Sequence, residues 1–188
     1  MNKIKVYTLM IFFIPMISMF SSGNNDLFTL QELASISNLI VRGEVVKIDC
    51  FYGENGQIYS NIKFEAKEIL SGDYNENQII EFTLFGGTLD GITTFTLEAP
   101  QFQLNSESIL FLHEVKNTNS IKIQYQITGL CQGKFDLVKR DNKQYVMRDK
   151  SQESNLKITD TGDDLKFTDD SIISLSDFKK AIDLFSKK

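Results

Sequence analysis

The stretch Ile58–Lys67 alternates apolar and polar residues without a break. Ile58, Ser60, Ile62, Phe64 and Ala66 share one parity; Tyr59, Asn61, Lys63, Glu65 and Lys67 share the other. Only a β-strand puts successive side chains on opposite faces. The run follows directly on Gly53-Glu54-Asn55-Gly56, and Asn-Gly between alternating segments is a strong hairpin signal. The chain is thereby committed to antiparallel sheet near its middle, and the flanking segments extend the pattern.

Upstream, Asn38–Phe51 has strand character, but its apolar parity changes. Leu39, Val41 and Val45 fall on one face, Val46, Ile48 and Cys50 on the other, with Gly43 close to the change. A glycine near a face switch predicts a bulge or bend. Downstream, Ser71-Gly72-Asp73 breaks the chain before a strand over 79–85. Gly86-Gly87 and Gly91 bracket a tight connection to strand-like Ile92–Leu97, which Pro100 ends. Ile109-Leu110-Phe111-Leu112 is apolar on both parities and predicts a central, buried strand. Ile121, Ile123, Tyr125 and Ile127 alternate with polar residues, and Phe135–Leu137 and Tyr145–Met147 flank Arg140-Asp141-Asn142-Lys143 as a last hairpin.

Helices are expected only at the ends. Thr29-Leu30-Gln31-Glu32 reads as a capping box opening a short helix, with Leu30, Leu33 and Ala34 on its apolar face. Ser174 and Asp177 open a C-terminal helix whose stripe is Leu175, Phe178, Ile182 and Phe185. That stripe suits core packing, with a partner-binding helix as the alternative. Residues 151–170 are polar and acidic and read as loop.

Many short strands joined by Gly and Asn turns, with two helices, predict a mainly β fold. A small closed antiparallel barrel is the expectation and a sandwich its rival. The short helix with Asn38–Val45, then Phe64–Gly72, Ile109–Leu112 and Gly129-Leu130-Cys131-Gln132-Gly133-Lys134-Phe135 together resemble an exported bacterial family of barrel domains. That family is similar to the OB-fold and to netrin/tissue-inhibitor-of-metalloproteinase modules; the resemblance covers roughly residues 29–138. It implies an OB-like barrel with a long, bent first strand. Protease inhibition is not implied, because such inhibitors present an N-terminal cysteine, whereas a cut after Gly23 exposes Asn24.

The N-terminus reads as a secretory signal over residues 1–23. Lys3 and Lys5 precede an apolar run, Val6–Phe20, followed by Ser21, Ser22 and Gly23. The run is shorter than the ~20 residues a spanning helix needs, and Pro15 interrupts it. An uncleaved anchor is the alternative; a secreted or periplasmic protein without a stable membrane anchor is the expectation. Residues 24–188 then form a single domain. Without Lys3 and Lys5, 18 basic residues face 25 acidic ones, a net charge of −7. Such a surface repels a phosphate backbone, so nucleic acid is not expected as a partner.

Catalytic hardware is sparse. The chain has one histidine, two cysteines and no tryptophan. Export permits a disulfide between Cys50 and Cys131, which would stabilise by about 4 kcal/mol if geometry allowed it; two separate buried thiols are the alternative. His113 has no second histidine with which to build a common zinc set, and no Gly-x-Ser-x-Gly elbow accompanies it. Asp160-Thr161-Gly162-Asp163-Asp164 and Asp169-Asp170 depart from the EF-hand pattern. Gly86–Gly91 lacks the lysine and helix of a phosphate loop. No cofactor and no metal are expected.

Phe51 and Tyr52, at the tip approaching Gly53, are the candidate binding residues, because loop-tip aromatics can anchor a partner; covering the end of the barrel is the alternative. Segments 51–57, 86–91 and 98–107 are the candidate contact loops. The chain thus reads as an exported, non-catalytic domain that binds a protein or other extracellular ligand. Two alternatives stand beside it: a hydrolase using His113 with a serine or cysteine, and a structural envelope component.

Overall fold

The computed structural model describes residues 28–96, 99–115, 124–148 and 172–186. The segment 1–23 and the aspartates between 160 and 170 lie outside them. The first element, α1 (Leu30–Ile36), is closed by the expected capping box. The Glu32 N–H donates to Thr29 Oγ1 at 3.1 Å, and the Thr29 N–H to Glu32 Oε2 at 2.7 Å. These bonds hold the exposed Glu32 carboxyl below its ordinary pKa.

The strands are β1 (Leu39–Tyr52), β2 (Ile58–Ser71), β3 (Ile79–Phe85), β4 (Gly87–Leu89), β5 (Ile92–Thr94), β6 (Glu107–Val115), β7 (Gln124–Ile127), β8 (Lys134–Arg140), β9 (Lys143–Arg148) and β10 (Ile173–Ser174). The helix α2 (Leu175–Ser186) ends the described chain. The main sheet runs β10-β9-β8-β6-β1-β2-β3 with every pair antiparallel; β7 also pairs with β6, and β4–β5 forms a separate hairpin.

The bend predicted near Gly43 is present. The β1–β2 register shifts between Ile40 and Val41, between Arg42 and Gly43, and between Val45 and Lys47. The last shift carries the change of face: Val45 is buried and Val46 exposed. Gly43 is required for a separate reason. A Cβ there would collide with the Glu65 carbonyl oxygen and lie 2.5 Å from Phe64 Cε1. The Phe64 ring packs against the bare glycine backbone at the corner.

The two parities of β6 supply two cores, as its sequence requires. Leu110 and Leu112 join Val41, Val45, Ile62, Phe64, Ile80 and Phe82 inside the curl of the sheet. Ile109 and Phe111 face the other way, into a layer formed by α1, α2, Phe135 and Val146. The stripe of α2 docks here: Phe178 and Ile182 are fully buried, and Phe178 meets Phe135 with ring centroids 5.1 Å apart. Ser174 caps α2, accepting from the Asp177 N–H at 3.2 Å.

One expectation is met in part and one is corrected. The fold is mainly β and antiparallel with two helices, but among the described residues no closed barrel is found. The edges β3 and β7 approach, and Tyr74 meets Tyr125 edge to face at 5.9 Å. Yet among the described residues no hydrogen-bonded ladder joins β3 to β7. The edge of β6 away from β1 is shared: Leu112–Val115 pair with β7 and Ser108–Leu110 with β8, from which the ladder runs on through β9 and β10. The Cys50–Cys131 disulfide is also absent. Beyond Glu44, β1 leaves β6 and carries Cys50 out along the β2 hairpin, whereas Cys131 stays in the 3-10 turn (Leu130–Gly133) between β7 and β8.

Candidate functional site

The protruding half of the β1–β2 hairpin organises one end of the molecule. Its turn is set locally: the Gly53 N–H donates to the Gln57 carbonyl at 2.8 Å, the Gln57 N–H to Asn55 Oδ1 at 3.1 Å, and Gly56 has φ 73°. Asn55 Nδ2 donates to the Tyr59 hydroxyl at 3.1 Å, tying the turn to the strand. Phe51 and Tyr52 are 42 % and 46 % exposed. Phe51 stacks on Tyr59 with centroids 5.9 Å apart, and Tyr59 meets Phe85 edge-on at 5.6 Å. An aromatic row therefore crosses β1, β2 and β3.

The β4–β5 hairpin folds against this row through Gly86 and Gly87. Ser60 Oγ donates to the Gly86 carbonyl at 2.6 Å, and the Gly86 N–H donates to the Ile58 carbonyl at 2.9 Å. A Cβ on Gly87 would strike Ser60 Oγ and approach Cys50 Sγ to 2.8 Å. The paired glycines of the sequence thus serve close backbone approach. At the hairpin turn Asp90 reaches Tyr52. Partial loss of water, with the Asp90 charge and hydrogen bond, pushes the Tyr52 hydroxyl pKa upward.

The third side is the chain from Ala99 to Ser106. Pro100 is buried, and Phe102 packs on Phe82 at 5.5 Å. The segment is pinned to β1, with the Asn105 N–H donating to the Val45 carbonyl at 2.8 Å and the Val45 N–H to that of Ser106 at 3.1 Å. Between these walls lies a cleft of about 300 Å³. Cys50, Ser60, Phe85, Gly87, Phe95 and Phe102 contribute to its lining. Of the three predicted contact loops, 86–91 and 98–107 both contribute to this lining, and 51–57 meets 86–91 through Tyr52 and Asp90.

Ile92, 56 % exposed, opens β5, and Phe95, 67 % exposed, follows it and lines the cleft with Phe85. The sequence reading named Phe51 and Tyr52 and missed these three. A signal existed for Phe85: it shares parity with the outward-facing Ile79, Glu81 and Thr83, not with buried Ile80 and Phe82.

The remaining candidates lie elsewhere. Cys50 Sγ sits 3.3 Å from Ser60 Oγ. Half-buried His113, on β6, places Nδ1 3.5 Å from Thr128 Oγ1, at the limit of a hydrogen bond. Thr128 Oγ1 already accepts from Ser37 Oγ at 2.9 Å. Among the described residues no direct contact joins His113 to a serine, cysteine or carboxylate. Nor do three His, Cys, Asp or Glu side chains gather as a metal set. Among the described residues Arg148 is the one strongly perturbed cation. Burial, partly offset by Cys131, lowers its pKa to about 10; it donates to the Phe28 carbonyl at 2.8 Å and lies 5.3 Å from the Phe135 ring centroid. Its bonds tie β9 to the start of α1.

No described helix is long and apolar enough to cross a membrane. No family model, curated protein or solved structure matches the chain.

Proposed function

We propose that this chain is an exported, non-catalytic interaction domain that docks a protein partner through the aromatic end of an OB-like roll. One observation carries the proposal: exposed Phe51 and Phe85 flank Tyr59 in one aromatic row across β1, β2 and β3, and Phe85 continues with exposed Phe95 into the lining of the cleft. Scattered exposed apolar residues need no explanation, but an exposed aromatic row beside a cleft does. Aromatic side chains are enriched in the desolvated centre of protein interfaces, where a few residues supply most of the binding energy. Export rests on the N-terminal pattern of Lys3, Lys5 and the apolar run to Phe20. The acidic balance of the chain favours a protein over a nucleic acid.

The test is a crosslinked capture of the tagged protein from its native envelope and medium. Wild type is compared with a Phe51→Ser/Tyr52→Ser variant, whose exposed positions leave the core intact. The proposal expects a reproducible partner that the variant loses while its thermal unfolding is unchanged. Equal capture by both proteins would refute it.

A further inference from the structure

A second surface, whose cleft shares only Gln101 with the first, has the form of a strand-acceptor site. Strand β8 pairs with β6 only over Lys134–Asp136, because β6 begins at Glu107. The chain before β6 swings toward β1, where Asn105 and Ser106 bond to Val45. From Leu137 to Arg140, β8 keeps β9 on one side, in register Leu137↔Val146 through Arg140↔Lys143. On its other side, among the described residues, no backbone partner is present.

The space left there is a cleft of about 670 Å³ with β8 as one bank and residues 101–107 as the other. Asp136 and Val138, on one face of β8, line it together with Leu137 and Lys139, on the opposite face. Side chains of both parities border one cleft only where it opens along the strand's edge, since alternate residues point to opposite faces. An antiparallel strand also directs the N–H and C=O of alternate residues to each side. Two residues of Leu137–Arg140 therefore offer about four backbone hydrogen-bonding groups to the cleft.

The charges select the occupant. Glu107 is neutralised by Arg42 at 2.9 Å and Lys67 at 3.3 Å, and Asp136 by the buried Lys134 at 2.6 Å. Lys139, Arg140 and Lys143 are exposed and make no ion pair among the described residues; Asp141 is the one acid in the turn between them. The open edge is basic on a chain that is acidic as a whole. A second copy paired through the same edge would set these cations against their own equivalents, which is unfavourable across strands. We infer that the β8 edge, Leu137–Arg140, binds an extended acidic peptide as an added antiparallel or parallel strand, with carboxylates against Lys139 on one face of the sheet or Arg140 on the other. Main-chain bonds along the edge would hold the peptide, and the basic hairpin would choose its sequence.

The experiment is fluorescence anisotropy on the full chain with a dye-labelled synthetic peptide of alternating Glu and Val. A Lys/Val peptide is the charge control, and two further Glu/Val peptides are N-methylated on alternate residues along one edge or the other. The same titrations on a variant with Asp160, Asp163, Asp164, Asp169 and Asp170 changed to Asn exclude competition by the chain's own carboxylates. Saturable binding of the Glu/Val peptide is expected, with none of the Lys/Val peptide. N-methylation of one edge only, or Lys139→Glu with Arg140→Glu, should weaken binding about tenfold or more. Amide exchange should slow at alternate residues of 137–140. Phe51→Ser/Tyr52→Ser should leave this binding unchanged, so the aromatic-end proposal fails or stands separately. No saturable binding to either protein, equal tolerance of both N-methylated peptides, or indifference to charge reversal would overturn the inference. A dimer that Lys139→Glu abolishes would assign the edge to a second copy and overturn it as well.

Discussion

Replacing Gly43 by alanine tests the corner on which the architecture turns. The position has no left-handed φ, so the cost is steric and not conformational. The new methyl group would meet the Glu65 carbonyl oxygen, part of the neighbouring strand, and two atoms of Phe64 at 2.5 and 2.9 Å. A flexible side-chain tip could move aside, but neither neighbour is one. Phe64 is wholly buried between β1 and β6 residues, and Glu65 is held in the ladder opposite Glu44 and Ile79. Overpacking of this kind costs about 3 kcal/mol, the upper end of the usual range. For a domain of this size that lowers Tm by roughly 6–12 °C. Urea and thermal denaturation followed by circular dichroism measure it. Adding Phe64→Leu removes the ring contacts and leaves the carbonyl contact, so the double variant should recover only part of the loss. A Gly43→Ala loss below about 0.5 kcal/mol, within the range of ordinary surface substitutions, would refute the close approach on which the bend depends.

The docking of α2 gives a second expectation. Phe178→Ala removes a ring packed on Phe111 and Phe135 and should cost about 3–5 kcal/mol by chemical denaturation, whereas Leu184→Ala, on the exposed side, should cost almost nothing. Thiol titration of the unfolded chain without reductant should find both Cys50 and Cys131 reactive. Stability should also fall on acidification. Burial raises the Glu107 pKa, but hydrogen bonds and charge from Arg42 and Lys67 outweigh it, so the folded value is depressed. Its contribution is complete above the unfolded glutamate value of about 4.3 and is lost as pH falls through the folded value. Glu107→Gln should flatten that part of the pH–stability curve.

Features encoded within a few residues were legible before the structure. The Asn55-Gly56 turn, the alternation from Ile58 to Lys67, the caps at Thr29 and Ser174 and the doubly apolar β6 each depend on local backbone periodicity. The bend near Gly43 was legible too, because a change of parity must be absorbed by an irregular backbone. Closure was not. Whether β3 pairs with β7 depends on contacts between segments far apart in the chain, which no window of sequence records. The cysteines failed for the same reason: a separation along the chain says nothing about which end of a long strand each thiol occupies. Phe51 and Tyr52 stood out because they adjoin a turn. Phe95 did not, because its strand character concealed that β5 ends one residue before it.

A photoreactive residue placed at position 51, with a second placed at the exposed Lys180 on α2, tests the interaction account most directly. After irradiation in the native setting, the account predicts a discrete, heavier adduct from position 51 and none from position 180. No adduct from position 51, or the same adducts from both positions, would contradict it.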